Sequence, residues 1–495
     1  MLMFREGFLK PLSEIVKTHG KVCGYYLGRK PMVVIADPDI LRQVMVKDFN
    51  NFTNRRFQLT TKPWKDCLLM LRNEQWKRVR SVVTPTFSAA KLKEMVPLIN
   101  TATDALMNNL SVHAESGKVF DIHKCFQCFT MDVIASVAFG TNLDSQNNPD
   151  DPFVHYAQMF FAMSFFKPLV LFSILFSKIM APLVRIIPNK RREEIDKFFI
   201  SSIKKIIKQR EEQPPDQRRR DFLQLILDAR TGQESVSLEH FDTTKHSDEL
   251  DNRSQQTPLP VSDQKISHPH IQKSSTGHLQ KKTITEDEIV GQAFVFFLAG
   301  YETTSSTLGF ACYLLALHPE CQSKVQEEVD DFFTRHDFVD YTNVQELKYL
   351  DMAVCEALRI YPPGFRFNRE VYHDCVINGQ FFPKGATLEL FSGFLHHDPE
   401  HWPEPKKFIP ERFTPEAKAN RHPFVYLPFG AGPRNCVGMR LAQLEIRMAL
   451  THLFHKFSIV ACSETKVPLD LKSAGSLSPK NGIYVKITRR NKEQE

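Results

Sequence analysis

The fold of this chain is decided by residues 428–438, which read Pro428-Phe429-Gly430-Ala431-Gly432-Pro433-Arg434-Asn435-Cys436-Val437-Gly438. Gly432 and Gly438 remove side chains on either side of the Cys436 sulfur, and Arg434 is a donor within reach of an anion beside it. After Gly438 the apolar spacing becomes helical, so the cysteine lies in a loop that leads into a helix N-terminus. Nearby positive charge and a helix dipole favour a thiolate, which is a ligand for soft and borderline metals.

Written as a pattern, the stretch is Phe429-x-x-Gly432-x-Arg434-x-Cys436-x-Gly438, and it resembles the haem-binding loop of the cytochromes P450 at every position. The resemblance implies that haem b binds here with the Cys436 thiolate as the axial ligand of its iron. It also implies that Phe429, Arg434 and Gly438 lie against the cofactor. For the cysteine taken alone, a buried structural thiol in a glycine-rich turn is the alternative.

The composition is sufficient for a large hydrophobic core and argues against a nucleic-acid-binding protein. The chain has 495 residues, of which 42% are hydrophobic, and a formal net charge of +7. It contains no dense run of Lys and Arg with interleaved aromatic residues, so nucleic acid is not an expected partner. Its ten scattered cysteines favour a reducing environment over disulfide pairing.

Short extended runs lie between the helical patterns. Residues 21–38 predict a hairpin, and residues 375–381 and 385–391 predict two strands that turn at Pro383-Lys384-Gly385. The resemblance implies a mostly α fold with small β-sheets, in which a triangular, helix-rich single domain over residues 1–495 encloses the haem, and we expect a monomer. Residues 1–22 contain no apolar run near the ~20 residues that a membrane span needs. The chain begins where the hinge after a microsomal P450 anchor would end, so we expect the N-terminal anchor to be missing.

A long buried helix is predicted before Pro319. A capping box over residues 285–288 opens it, and its middle section is apolar on nearly all sides. Inside it lies Ala299-Gly300-Tyr301-Glu302-Thr303-Thr304, whose glycine and hydroxyl groups can loosen the backbone ladder and make room for a small ligand. The segment resembles the distal helix of the P450 family.

This second resemblance assigns roles on the open side of the iron. It implies that Ala299 lies against haem and that Glu302 and Thr303 form a catalytic acid–alcohol pair, a recognised arrangement for proton delivery. We expect an apolar substrate pocket, to which the following residues would contribute: Phe296, Phe297, Leu298, Phe365 and Phe367.

Three further positions match residues that bind the haem propionates in the P450 family. Trp76 and Arg80 are i,i+4 neighbours on one predicted helix face, and Arg369 follows at the position of another propionate donor. For the Trp-x-x-x-Arg pair taken alone, a solvated arginine beside a half-buried tryptophan is the alternative.

A charge pair is expected to be buried and structural. Glu356 and Arg359 lie on one face of a helix predicted over residues 344–361, with apolar neighbours. They match the buried Glu–Arg pair of the P450 family, which Arg412 of the Pro410-Glu411-Arg412-Phe413 motif would complete. An ordinary surface pair worth a few tenths of a kcal/mol is the alternative.

Two segments stand apart from this core. Residues 159–187 are strongly apolar but interrupted by Lys, Arg and Pro, which favours core helices or a surface that dips into a bilayer interface. The resemblance implies that 159–187 contacts the membrane and that the protein lies on the cytosolic face of the endoplasmic reticulum membrane. Residues 231–282 are polar and contain Phe241 as their only aromatic residue, so we expect a disordered insertion.

The stretches between these motifs point to one branch of the family. Residues 23–29, 51–55, 290–294, 396–402 and 426–434 are similar to the branch that isomerises prostaglandin H2 to thromboxane A2. The resemblance implies a haem-thiolate isomerase that cleaves the O–O bond already present in its substrate. Hydroxy-heptadecatrienoic acid and malondialdehyde would be by-products, and O2, NADPH and a reductase would not be needed.

Two alternatives stay open at this point. The neighbouring branch contains the microsomal family-3 monooxygenases, and the Glu302-Thr303-Thr304 segment is intact here as in those enzymes. A monooxygenase of steroids, fatty acids or xenobiotics would take its electrons from NADPH-P450 reductase. The other alternative is a chain that binds haem weakly and does no chemistry, against which the intact motifs argue.

Overall fold

The computed structural model describes residues 7–27, 30–56, 61–148, 150–162, 189–219, 221–231, 283–473 and 475–490. The predicted insertion 231–282 lies outside these residues apart from its first position, and the predicted membrane-facing stretch 159–187 lies outside them beyond residue 162. Both therefore stay predictions. Within the described ranges, none of the helices combines the length and the apolar character required to cross a membrane.

Helices make up most of the described chain, which confirms the predicted mostly α fold with small β-sheets. The helices are α1 (Leu9–His19), α2 (Pro38–Arg42), α3 (Asn73–Val83), α4 (Ala89–Ser116), α5 (Ile122–Phe139), α6 (Pro152–Phe161), α7 (Lys190–Glu212), α8 (Phe222–Thr231), α9 (Glu286–Leu317), α10 (Pro319–Arg335), α11 (Lys348–Ile360), α12 (Ser392–Leu395), α13 (Pro415–Ala419) and α14 (Met439–Lys456).

Helix α9 runs through the core and is the predicted buried helix. Both bonds of its capping box are present: the Glu288 N–H donates to the Thr285 hydroxyl at 3.2 Å, and the Thr285 N–H donates to the Glu288 carboxylate at 2.9 Å. Helix α5 packs along it at close range, because a Cβ placed on Gly300 would lie 3.2 Å from the side chain of Ile134. The small residue at 300 thus lets the two helices approach.

Within the described residues the strands form four small sheets. They are β1 (Val22–Leu27), β2 (Lys30–Ile35), β3 (Phe120–Asp121), β4 (Phe367–Glu370), β5 (Cys375–Ile377), β6 (Gln380–Phe382), β7 (Thr387–Leu390), β8 (Phe457–Val460), β9 (Leu471–Ser473), β10 (Leu477–Pro479) and β11 (Tyr484–Arg489). The largest has the order β1-β2-β7-β4, and the others are β3-β11-β8, β9-β10 and β5-β6.

One strand pairing differs from the prediction. The run 385–391 does not pair with 375–381 across the turn at Pro383; it supplies β7, which lies between β2 and β4. The run 375–381 instead turns on itself at Asn378 and Gly379, which have φ values of +47° and +77°. An Asn-Gly pair with both φ positive is the strongest short hairpin signal, and it outweighs the Pro-Lys-Gly turn five residues later.

Candidate active site

The loop that carries Cys436 is closed by its own backbone. The N–H of Cys436 donates to the carbonyl of Phe429 at 2.9 Å, and the N–H of Asn435 donates to the carbonyl of Gly432 at the same distance. Gly432 has a φ of +67°, and a Cβ placed on it would lie 2.0 Å from the carbonyl oxygen of Met45. Only glycine fits there, since the left-handed backbone and the close contact both exclude a side chain.

The Cys436 side chain is accessible, although protein surrounds it. It is the one exposed cysteine of the ten, and yet enough protein surrounds it for burial to raise the pKa of its thiol. The backbone N–H of Gly438 and the guanidinium groups of Arg80 and Arg55 lower that pKa. A Cβ placed on Gly438 would meet no protein atom within 4 Å. The loop therefore leaves room for a ligand and supplies donors that stabilise a thiolate.

Helix α9 exposes one narrow stripe in its buried middle section. Val295, Ala299, Gly300 and Thr303 carry accessible surface, whereas the residues between them are buried. A spacing of four residues places 295, 299 and 303 on one helix face. The Thr303 hydroxyl donates to the carbonyl of Ala299 at 2.8 Å. This face is the part of α9 that a ligand can approach.

Glu302 lies on a different side of α9. Its side chain is 3% exposed and forms hydrogen bonds with Ser478 of β10 and Gln127 of α5. Burial raises the pKa of the Glu302 carboxyl, while those hydrogen bonds and the charge of Lys472 lower it. The structure thus separates the predicted acid–alcohol pair, because only Thr303 lies on the accessible stripe.

The predicted pocket residues lie mostly in the core. Phe296, Phe297, Leu298 and Phe365 are between 0% and 8% exposed, and the Phe297 ring stacks on Phe139 with centroids 4.1 Å apart. For Phe296, Phe297 and Leu298 the prediction was wrong because it ignored the phase of the helix: positions 296–298 turn away from the stripe defined by 295, 299 and 303. Phe365 is not on α9, and it packs in a separate core cluster with Leu12 and Phe391. The fifth predicted pocket residue, Phe367, is only partly buried, and its ring packs against the cysteine loop near Gly430.

Four buried or half-buried arginines lie in or beside the cysteine loop: Arg55, Arg80, Arg369 and Arg434. Burial lowers the pKa of Arg55 and of Arg80 to about 10, and it places the pKa of Arg369 well below its usual value. Among the described residues none of the four forms an ion pair with a carboxylate, and the Nε atoms of the first three have no hydrogen-bond partner. Such uncompensated buried charge is costly. The cluster therefore fits an anionic ligand, such as the two propionates of the haem that the sequence predicts.

Arg434 has a different place from the one that the sequence suggested. Its Nε, Nη1 and Nη2 donate to three carbonyls of residues 53–71, and its guanidinium lies 4.2 Å above the centre of the Trp76 ring. The positive charge that lowers the pKa of Cys436 comes instead from Arg80 and Arg55. The donors of Arg434 are taken up by carbonyls of the neighbouring segment rather than by an anion beside the sulfur.

Arg80 and Arg55 connect the cluster to the loop. Arg80 donates to the backbone carbonyl of Asn435 at 3.1 Å and to its side-chain oxygen at 2.8 Å. Arg55 donates to the carbonyl of Arg434 at 3.4 Å. Sequence reasoning missed Arg55, because nothing in the local pattern distinguishes it from the exposed neighbour Arg56.

The predicted charge cluster lies in the core next to this loop. Arg359 donates to both carboxylate oxygens of Glu356, at 2.7 and 2.8 Å, and both residues are 0% exposed. The Nε of Arg412 lies 3.3 Å from the same carboxylate. Arg359 also donates to the carbonyl of His396, whose ring accepts the N–H of Leu427 just before the cysteine loop. The three charged residues are therefore brought together, as the sequence predicted, and linked to the loop.

Comparison with known proteins agrees with this geometry. The family model for cytochrome P450 matches residues 1–257 and 243–487. A thromboxane-A synthase from Macaca fascicularis is 47% identical over 492 residues, covering 99% of this chain and 90% of the relative. The one from Sus scrofa is 46% identical with the same coverage. Cytochrome P450 3A6 from Oryctolagus cuniculus is 38% identical, covering 99% of this chain and 89% of the relative.

Proposed function

This chain belongs to the cytochrome P450 family, and from that premise we propose that it isomerises prostaglandin H2 to thromboxane A2. One observation carries the proposal. Identity is 46–47% to thromboxane-A synthases from four mammals and 35–38% to four cytochromes P450 3A, each over 99% of this chain. Hydroxy-heptadecatrienoic acid and malondialdehyde are the expected by-products.

The residues of the site divide the work of holding the cofactor. Haem b, bound through the Cys436 thiolate, supplies an iron centre whose thiolate ligation favours O–O cleavage. The Gly438 N–H and the charge of Arg80 stabilise that thiolate. Arg55, Arg80 and Arg369 would bind the propionates, which supply the negative charge that these buried guanidinium groups lack among the described residues.

The accessible stripe of α9 suits an isomerase. Val295 and Ala299 offer an apolar face to a hydrocarbon substrate, and an apolar face excludes water from the reacting oxygens. The Thr303 hydroxyl donates its hydrogen bond to the carbonyl of Ala299, and the Glu302 carboxyl forms hydrogen bonds with Ser478 and Gln127. Neither group is arranged to deliver a proton toward the stripe, and an isomerisation needs no such delivery.

An O2-dependent monooxygenase is the second candidate, because the Glu302-Thr303-Thr304 segment is intact. It can be separated from the isomerase by Thr303→Val and Glu302→Gln. Isomerase turnover should stay within about threefold of the unmodified protein, since neither proton is used. A monooxygenase should lose about 100-fold, the usual size of an acid–base contribution. Thr304→Val, at a buried position off the stripe, is the matched control for packing.

We also infer that the protein lies on the cytosolic face of the endoplasmic reticulum membrane as a monomer, with residues 159–187 against the lipid. The apolar composition of that segment supports the inference. Fractionation of cells that express the chain, followed by sodium carbonate extraction, tests it. Recovery in the soluble fraction before any extraction would contradict it. No reductase is a required partner if the isomerase proposal holds.

A further inference from the structure

Leu68 is held from both sides of the candidate active site. Its N–H donates to the side-chain oxygen of Gln292 on α9 at 2.7 Å. Its carbonyl accepts a hydrogen bond from Arg434 of the cysteine loop at 3.2 Å. A single buried residue therefore joins the distal helix to the loop that carries Cys436. We call the connection Gln292–Leu68–Arg434 the Leu68 strut.

The end of the strut on α9 is rigid. Gln292 is 0% exposed, and its amide nitrogen donates to the carbonyls of Asp66 and Glu288 at 2.8 and 2.9 Å. Gly291 allows the close approach, since a Cβ placed on it would lie 2.8 Å from the carbonyl carbon of Asp66. The carboxamide of Gln292 thus pairs with the backbone of residues 66–68 in the way that a neighbouring strand would: its oxygen accepts the N–H of Leu68, and its nitrogen donates to the carbonyl of Asp66.

The end on the cysteine loop is equally constrained. Arg434 donates to the carbonyls of Thr53 and Leu71 at 3.0 and 2.8 Å, in addition to Leu68. Its guanidinium also lies on the Trp76 ring. Leu68 cannot shift without breaking charge-assisted hydrogen bonds that are shielded from water.

The phase of α9 connects the strut to the accessible stripe. Gln292, Val295, Ala299 and Thr303 follow each other at intervals of three, four and four residues, which is one continuous helix face. A change in the position of Gln292 relative to Leu68 therefore moves the stripe relative to the cysteine loop. Reactions of positioned groups are sensitive to such shifts, and a misplacement of 1 Å can cost about 100-fold in rate.

We propose that Gln292 is a positioning residue that, through Leu68 and Arg434, sets the gap between the Thr303 stripe and Cys436. The inference rests on the proposed function only where turnover is measured. The gap also governs how a bulky ligand fits against the haem, whatever reaction the enzyme catalyses.

The chain offers a matched control at Gln322 of α10. That side chain is 5% exposed, accepts the N–H of Ile459 at 2.8 Å and donates to the carbonyls of Ile459 and Leu315 at 2.9 and 3.0 Å. It makes the same kind of backbone match as Gln292, but to strand β8 rather than to the segment beside the cysteine loop. Gln292→Leu and Gln322→Leu remove equal numbers of hydrogen bonds, so a purely structural effect should be similar in both.

The test is optical titration of the ferric haem-loaded variants with imidazole and with the bulkier 4-phenylimidazole. In Gln292→Leu, we expect the Kd for imidazole to stay within about twofold and the Kd for 4-phenylimidazole to rise about tenfold, because the ligand must now order the loosened gap. Gln292→Glu retains the acceptor for Leu68 and should recover part of that loss. Gln322→Leu should change neither Kd.

Equal shifts in the Gln292→Leu and Gln322→Leu variants, or no shift with 4-phenylimidazole in Gln292→Leu, would overturn the proposal. Azole binding requires haem but no prostaglandin chemistry, so this result is independent of the isomerase proposal. Turnover adds a second readout. If the isomerase proposal holds, Gln292→Leu should raise the ratio of hydroxy-heptadecatrienoic acid to thromboxane B2, and Gln322→Leu should leave that ratio unchanged.

Discussion

Replacing Arg359 by leucine should destabilise the protein strongly, because it leaves the Glu356 carboxylate buried without its main counter-ion. Both residues are 0% exposed, and the guanidinium donates to both carboxylate oxygens. Breaking a pair of this kind by removing one partner costs about 3–5 kcal/mol. The N–H of Ile409, 3.1 Å from the carboxylate, and the nearby Arg412 remain as partial compensation. The loss of stability that comes from the unpaired carboxylate alone therefore lies near the lower end of that range.

The carbonyls that Arg359 leaves behind add to the loss. Arg359 donates to the carbonyls of His396 at 2.7 Å and Pro405 at 2.9 Å. A carbonyl that becomes buried and unpaired costs about 1 kcal/mol or more, although a polar group nearer the surface recovers part of this from water. We therefore expect a total loss of about 4 kcal/mol in the free energy of unfolding.

Urea unfolding, followed by far-ultraviolet circular dichroism and by Soret absorbance, measures this loss. The matched control is Arg335→Leu, since the Arg335 side chain is 50% exposed and pairs with Asp331 and Glu346 at the surface. Such an exposed pair should contribute at most about 1 kcal/mol. Adding Glu356→Gln to Arg359→Leu should recover at least about 1 kcal/mol, because the buried charge is then gone.

Three outcomes would refute this reasoning about the buried pair. The first is a loss below about 1 kcal/mol for Arg359→Leu. The second is a loss equal to that of the Arg335→Leu control. The third is a double variant that is no more stable than Arg359→Leu alone, since removal of the unpaired carboxylate would then relieve nothing.

Other predictions concern the thiolate, the propionate site and pH. Cys436→Ser should abolish the thiolate-type absorption of the reduced CO complex and the isomerase turnover, whereas Cys462→Ser should leave both intact; an unchanged spectrum in Cys436→Ser would exclude it as the iron ligand. Arg55→Leu should speed haem transfer to apomyoglobin about tenfold, which is the effect of losing about one charge-assisted hydrogen bond. Equal transfer rates in Arg55→Leu and Arg56→Leu would contradict the proposal that Arg55 binds a haem propionate. Burial lowers the pKa of His123 to about 3, which is below its value in the unfolded chain. Between about pH 6.5 and pH 3 the unfolded state therefore binds a proton that the folded state does not bind, and the free energy of unfolding falls as the pH drops through this range. His123→Gln should remove about 2 kcal/mol of the stability lost between pH 7 and pH 5 in urea titrations, and an unchanged loss would show that His123 is protonated in the fold.

Much of the scaffold could be predicted because its signals are local. The capping box at Thr285 and the apolar run after it define α9 within a few residues, and the spacing of Glu356 and Arg359 already places both on one helix face. The cysteine loop is equally local, since its glycines and its closing hydrogen bond lie within ten residues.

The remaining features depend on contacts between distant segments. No local pattern marks Arg55, whose place in the arginine cluster arises only when Thr53 and Arg55 form their hydrogen bonds with Arg434 of the cysteine loop. The direction of Glu302 depends on Ser478, which is 176 positions away in β10. Whether positions 296–298 or positions 295, 299 and 303 of α9 are accessible to a ligand depends on which side of the helix its neighbours cover.

The most direct measurement is product formation from prostaglandin H2 by the haem-loaded protein with no NADPH and no reductase present. Thromboxane B2, the hydrolysis product of thromboxane A2, and hydroxy-heptadecatrienoic acid would be quantified by mass spectrometry, with free haemin and Cys436→Ser as controls. We predict that both products form rapidly with the unmodified protein and at background rates in the controls. The isomerase proposal is contradicted if a protein with an intact reduced CO spectrum forms neither product but oxidises a steroid or fatty acid once NADPH and reductase are added.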